Sequence, residues 1–282
     1  MGQVEADRQL PRLAFSTLAF PSQSLAEAAA FGRRSGYEGI ELRLVDGELI
    51  DPAMSGEERR RVKRDVGGLP VVAVDSSVRL TEEGPVPQIK AFLELANDWE
   101  APAVRVFGGK LPEGVAERRR ALEEAAKVLE EVAPLAERLG VAVGLETHDS
   151  FSASSVVAEL LDLVPSRWVG AVWDSHHPHR MGETPAEVYA NIGARLVLAQ
   201  VKDARKSDSE PSGWQLVLMG EGEVPVRDML AVLAGGGYSG VVSVEWEKRW
   251  HPEIEEPWVA LPQHIEVLKP WVESAWAAPQ RS

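Results

Sequence analysis

The residues best suited to chemistry are gathered in Trp173-Asp174-Ser175-His176-His177-Pro178-His179-Arg180-Met181-Gly182-Glu183, which holds three of the chain's six histidines beside a carboxylate. The stretch follows Trp168-Val169-Gly170-Ala171-Val172, an apolar run that reads as a buried strand, so the polar cluster opens the loop after it. Three more apolar runs end alike, in Glu146/His148, Gln200/Lys202 and Glu245/Glu247, to set beside Asp174/His176. Residues two apart on a strand face the same way, and the alternating neighbours Leu145, Trp173, Ala199, Val201, Val244 and Trp246 are apolar or bulky. The polar set is therefore expected on the inside, the apolar set against helices. Converging carboxylates and an amide oxygen are costly to bury without a counter-charge, and a divalent cation supplies one. The chain has no cysteine, so ligands must be oxygen or nitrogen, and the hard ions Mn²⁺, Mg²⁺ or Co²⁺ are favoured over Zn²⁺, with Mn²⁺ first. The competing reading pairs these carboxylates with Arg105, Arg43 or Lys202 in a structural network.

Strands and helices alternate from end to end. Strands are expected at 12–18, 39–45, 71–75, 103–109, 141–148, 168–172, 196–203 and 240–247. Helices are expected at 24–34, 56–66, 86–99, 115–139, 153–163, 184–192 and 226–233, with a last one around Trp258 and Trp271. Ser24 reads as an N-cap and Gly36 as a stop. The clearest helix carries Leu122, Ala126, Leu129, Val132, Ala136 and Leu139 as one stripe, with Pro134 expected to kink it and Gly140 to end it. Eight near-continuous apolar strands alternating with helices predict an α/β protein, a single-domain (β/α)8 TIM barrel over residues 1–282, with the barrel at about 12–275 and short frayed termini. A doubly wound open sheet is the main competitor, but the first strand–helix turn has no G-x-G-x-x-G, which argues against dinucleotide binding.

Composition narrows the function. The 282 residues include 30 Lys+Arg against 44 Asp+Glu, a formal charge of −14, and such a surface repels phosphate backbones. Nucleic acid is not an expected partner. The polar start, Met1 to Arg8, and the lack of a long apolar run predict a cytoplasmic protein without a membrane partner. A homo-oligomer is left open.

The C-terminal half resembles the xylose isomerase-like superfamily of sugar phosphate isomerase/epimerase barrels, which also includes endonuclease IV and 3-dehydroshikimate dehydratases. The resemblance is carried by Leu145-Glu146-Thr147-His148, Asp174-x-x-His177 with Gly182-Glu183, Val201-Lys202-Asp203, Gly220-Glu221-Gly222 and Gly240-x-x-Ser243-Val244-Glu245. In the first half it rests on the strand–helix rhythm and on Arg105-Val106-Phe107-Gly108-Gly109. It implies Glu146, Asp174, Gln200 and Glu245 as metal ligands. Most members have His at the third position; Gln200 is a departure shared with some dehydroshikimate dehydratases. Glu247, two residues on, is the alternative last ligand.

The chemistry so implied is acidification of a C–H beside a carbonyl, leading to isomerisation, epimerisation or elimination. Glu146, His148, His177, Lys202 and Glu245 are the expected catalytic residues, and Arg105, Glu247 and Trp214 the expected substrate contacts. Lys202 would donate to a substrate oxygen; its alternative is a salt bridge to Glu146 or Asp174. Further aromatic wall candidates are Phe107, Trp173, Trp246 and Trp250. His179, His251 and His264 receive no role. The first functional reading is a divalent-metal-dependent isomerase or epimerase of a keto-sugar or cyclitol in carbohydrate metabolism. The second is a lyase on the same scaffold, a 3-dehydroshikimate dehydratase or 3-keto-glycoside eliminase. A repair nuclease needs more histidine ligands and a basic face, which this chain lacks. A barrel that binds sugar without turnover is the non-enzymatic alternative.

Overall fold

The structure, a computed structural model, describes residues 9–278. Eight strands form the barrel: β1 (Arg12–Ser16), β2 (Gly39–Leu42), β3 (Val71–Arg79), β4 (Ala103–Phe107), β5 (Ala142–Glu146), β6 (Val169–Asp174), β7 (Leu196–Val201) and β8 (Val241–Val244). Each pairs in parallel with the next, and β8 closes on β1. Around them lie α1 (Leu25–Ser35), α2 (Gly56–Asp65), α3 (Pro85–Asp98), α4 (Val115–Leu139), α5 (Ser154–Asp162), α6 (Pro185–Ile192), α7 (Val226–Gly235) and α8 (Pro257–Ala277). This is the single (β/α)8 TIM barrel that the alternation predicts. Parallel strands are covered on both faces, which is why these read as apolar runs. No helix among the described residues is long and apolar enough to cross a membrane. The frayed ends expected at 1–8 and 279–282 lie outside the described residues.

Local chemistry sets most boundaries. Ser24 caps α1 in a reciprocal capping box with Glu27, and Gly36 ends it at φ +94°. α4 continues through Pro134 to Gly140. The second strand stops earlier than its apolar run predicts, because Thr17 Oγ1 accepts the backbone N–H groups of Arg43 (2.9 Å) and Leu44 (2.7 Å). The chain then makes a small hairpin, Leu44–Val45 against Glu48–Leu49, turning at Asp46-Gly47 with both φ positive. That Asp-Gly pair is a recognised hairpin signal. The fifth, seventh and eighth strands also end before the expected limits, so His148, Lys202, Glu245 and Glu247 stand just beyond them. The polar stretch after β7 contains a second hairpin, Asp203–Lys206 against Trp214–Val217.

The main core lies between strands and helices, whereas the barrel interior has a small apolar cluster of Ala73, Ala103, Val172 and Leu198. His264, on α8, belongs to the outer core: it is buried, with Nδ1 2.6 Å from Ala260 O and its ring 5.0 Å from that of Trp246. Burial pushes its pKa down to about 4. The unfolded chain, with the ordinary value near 6.5, therefore takes up this proton first. Stability from this group is complete above about pH 6.5 and falls as the pH drops toward 4, by roughly 3 kcal/mol in all. His264→Phe should lose about 2 kcal/mol less than the parent between pH 7 and 4.5 in urea unfolding. Equal losses would show that His264 is not the group responsible.

Candidate functional site

The pleat turns a polar side chain inward from each of seven strands, β2 to β8. Glu41, Asp75, Arg105, Glu146, Asp174, Gln200 and Ser243, from β2 to β8 in order, are all at most 1% exposed. Asp174, Gln200 and Ser243 sit at one level, being register partners across β6, β7 and β8. The alternating residues Leu145, Trp173, Ala199, Val201, Val244 and Trp246 are buried in the outer core, as the alternation requires. Glu41 and Asp75 are additions to the expected set. Their sequence signal is an acid inside an apolar strand, in Ile40-Glu41-Leu42 and Val74-Asp75.

The polar groups are held by backbone groups and by one another. Asp174 Oδ1 accepts the backbone N–H groups of His176 (2.8 Å) and His177 (3.0 Å), fixing the short helix His176–Arg180 and leaving Oδ2 facing Lys202. Ser175 Oγ accepts Lys202 N and donates to Lys202 O, both at 3.0 Å. Gln200 Nε2 donates to Glu41 Oε1 at 2.5 Å, which orients the amide and leaves its oxygen free. Arg105 spans Asp75 (3.4 Å) and Glu146 (2.9 Å), donates to Ser76 O, and lies 4.0 Å from the Phe107 ring centre. Lys202 Nζ lies 3.0 Å from Asp174 Oδ2 and 2.5 Å from Glu245 Oε2, and also meets Glu247. The structural network considered from sequence is thus present.

That network does not balance the charge. Counting buried groups, Glu41, Asp75, Glu146, Asp174 and Glu245 face Arg43, Arg105 and Lys202, five carboxylates against three cations. Burial, helped by Asp75 and Glu245, pushes the Glu41 carboxyl well above the carboxylate range. Burial also raises Glu146 to about 8 despite Arg105. Burial opposes the charge on Asp174, but Lys202 and His176 hold its carboxyl below the usual value. Burial likewise opposes the Lys202 ammonium, which Asp174, Glu245 and Glu247 hold well above its usual value.

The donor set fits a divalent cation. Glu146 Oε2, Asp174 Oδ2, Gln200 Oε1 and Glu245 Oε2 are all buried and accept no aligned hydrogen bond. Oxygens of Glu146, Asp174 and Glu245 lie within 4.8 Å of one another. A dication would offset the excess of two carboxylates in place of the protons that burial otherwise favours there, with Lys202 competing for the Asp174 and Glu245 oxygens and Arg105 for that of Glu146.

A cavity of about 70 Å³ opens over this set, lined by Leu18, Arg43, Arg105, Phe107, Glu146, His148, Lys202, Glu245, Glu247 and Trp250. His148 packs 4.5 Å from the Phe107 ring and 4.5 Å from the His177 ring, with Nδ1 3.0 Å from Asp149. Burial works against a charge on His148, but Asp149 and Glu146 raise its pKa. His177 is pushed well below its usual value by burial and Lys202, so its ring is neutral. Trp214 does not line the cavity; its ring packs edge-on against His176 (5.1 Å) and His179 (5.5 Å).

Two of the motif acids hold the framework. Asp203 accepts the backbone N–H groups of Ala204, Gly220, Gly222 and Val224 at 2.8–3.2 Å, tying the Gly220-Glu221-Gly222 loop to the end of β7. A Cβ on Gly222 would lie 2.1 Å from Asp203 Oδ1, so the approach needs glycine. Glu183 reaches across to cap α5, accepting Ser154 N at 2.7 Å and Ser154 Oγ at 2.9 Å, because α5's own N-cap residue, Ala153, has no capping side chain. Glu183→Ala should cost about 1–2 kcal/mol, the range for a lost cap. A urea-unfolding change below about 0.5 kcal/mol, the surface range, would refute the capping role.

A family model described as xylose isomerase-like TIM barrel matches residues 28–271. An uncharacterised protein of Methanocaldococcus jannaschii is 26% identical over 166 residues, covering 56% of this chain and 55% of that protein. The chain thus spans about half the length of the curated relative it matches. The IolI protein, solved with a bound zinc atom, is 18% identical with a TM-score of 0.78, over 95% of this chain and 100% of that one. An L-ribulose 3-epimerase is 15% identical with a TM-score of 0.74, over 97% and 100%. AsbF of Bacillus anthracis, described as a probable 3-DHS dehydratase, is 19% identical with a TM-score of 0.72, over 91% and 98%. At these identities the likeness to the solved structures is one of fold.

Proposed function

Since the chain belongs to the xylose isomerase-like TIM-barrel family, we propose that it is a divalent-metal-dependent isomerase or epimerase of a keto-sugar or cyclitol, acting by proton transfer beside a carbonyl. The observation that carries this reading is the set of four buried oxygens on Glu146, Asp174, Gln200 and Glu245 that accept no aligned hydrogen bond, three of them faced by the ion-pairing cations Arg105 and Lys202. Those residues would hold the ion, Mn²⁺ first with Mg²⁺ and Co²⁺ as alternatives, since three carboxylates and an amide make an all-oxygen set. When bound there, a divalent cation supplies Lewis acidity toward a carbonyl oxygen and its neighbouring hydroxyl.

The chain's own residues do the rest. Glu146 and Glu245 line the cavity, each beside a cation, Arg105 or Lys202, and serve as the pair that removes and returns the proton. Lys202 donates to the substrate oxygen on which negative charge builds, as a buried ammonium aimed at the same oxygens. Arg105 fixes Glu146, and Glu247 and His148 contact substrate hydroxyls from the cavity wall. His177 supports His148 through the ring contact.

Gln200 favours a second reading, a lyase that expels a β-substituent after the same proton abstraction, because some dehydroshikimate dehydratases also have Gln at this position. One experiment separates the two. Protein loaded with Mn²⁺ or Mg²⁺ is incubated in D₂O with ketoses, inososes and 3-dehydroshikimate, then read by mass spectrometry. Isotope exchange with rearranged product supports the isomerase, and loss of water supports the lyase. No bound ion together with neither exchange nor loss would remove both.

A further inference from the structure

Three cations line the cavity, and two are paired with carboxylates. Arg105 meets Asp75 and Glu146, and Lys202 meets Asp174, Glu245 and Glu247. Arg43 differs. It is only 6% exposed, yet its guanidinium makes a single hydrogen bond, from Nη1 to Asp75 O at 3.3 Å, and no ion pair with any described carboxylate. Its position is built, because Thr17 Oγ1 fixes its backbone N–H at 2.9 Å where β2 leaves the barrel. Leu18 and Trp250, also in the cavity wall, give this side an apolar lining. Burial and the charge of Arg105 bring the Arg43 pKa down to about 10, against the pull of the more distant Asp75, Glu146 and Glu245 carboxylates.

We infer that Arg43 anchors an anionic substituent, a carboxylate, so that the substrate is a keto-sugar acid or a keto-polyol carboxylate rather than a neutral sugar. The inference rests on the reading of the cavity as a keto-sugar site and specifies its substrate class. A guanidinium presents paired N–H donors that match the two oxygens of a carboxylate, and it does so more strongly where water is excluded. The free cation comes from the β2 side, while the oxygen set comes from β5 to β8, so one small molecule can place its carbonyl at one and its carboxylate at the other. A phosphate group fits less well. It brings close to two charges to a single free cation, in a cavity of only about 70 Å³.

The test is isothermal titration of the Mn²⁺-loaded protein with matched pairs: D-fructuronate and D-fructose, D-tagaturonate and D-tagatose, and 3-dehydroshikimate and its methyl ester. D-Fructose 6-phosphate is the phosphate probe. At least one acid should bind about tenfold tighter than its neutral partner, the scale of a charge-assisted hydrogen bond. Arg43→Gln should bring that acid-to-neutral ratio to about one, and Arg43→Lys should restore part of it. The inference is overturned if no acid is preferred, if the ratio survives in Arg43→Gln, or if the sugar phosphate binds best. Thermal unfolding of each variant separates lost recognition from lost fold. The preference is read as binding, so an absence of isotope exchange would count against the catalytic reading and leave this result standing.

Discussion

Asp174→Asn is expected to give a folded barrel that no longer binds the divalent ion proposed for it. The substitution separates two jobs that one carboxylate performs. Oδ1 accepts the backbone N–H groups of His176 and His177, and an asparagine oxygen can do the same. Oδ2 faces the interior beside Lys202, and there the amide replaces an anionic donor with an N–H₂ group. The variant therefore keeps the short helix His176–Arg180 and loses a ligand. Loss of even a supporting residue around a bound metal typically costs about 10–100-fold in affinity or activity, so a ligand should cost about 100-fold or more. Elemental analysis should fall from one ion per chain toward none, and turnover should fall with it. An unchanged stoichiometry would move the ion elsewhere and withdraw the proposed ligand set. Far-ultraviolet circular dichroism should match the parent, because the backbone acceptor remains.

Much of this site is legible in the sequence, for a physical reason. A parallel barrel buries both faces of its strands, so a polar residue in an apolar run stands out, and Glu146, Asp174, Gln200 and Glu245 all stand at or next to strand ends. What the sequence hides is set by contacts far apart in the chain. Glu41 and Asp75 read as single acids in apolar strands; their meaning depends on Gln200, 159 residues from Glu41, and on Arg105. Strand ends are hidden likewise, since β2 stops where Thr17 captures two N–H groups, a side-chain event that no apolar periodicity records. Asp203 and Glu183 belong to recognisable motifs, yet one ties a loop and the other caps a helix. A motif thus marks a residue as constrained and leaves open which constraint acts. Trp214 illustrates the converse: an aromatic expected at the substrate packs on histidines outside the cavity lining.

Arg105→Met should be the most destabilising single change in the barrel interior. The guanidinium is 1% exposed and neutralises Asp75 at 3.4 Å and Glu146 at 2.9 Å, while also satisfying Ser76 O. Methionine restores part of the volume against Phe107 and none of the charge, so both carboxylates remain buried without their partner. Breaking a buried pair in this way costs about 3–5 kcal/mol, a large fraction of a domain's stability. Solvent screening gives little relief at this depth, unlike at the exposed pair Lys63–Glu100 beside the ends of α2 and α3. The sign of the effect on Glu146 follows as well: with Arg105 gone, its carboxyl moves further above its present value of about 8 and is held as the neutral acid, so the stranded charge is that of Asp75. Glu146→Gln should therefore cost less in the Arg105→Met background than in the parent, since the ion pair it breaks is already gone. Urea unfolding of the parent, both single variants and the double variant forms a cycle that measures the coupling directly. Additive losses, or an Arg105→Met cost below about 1 kcal/mol, would mean that the interior carboxylates are neutralised by something other than Arg105.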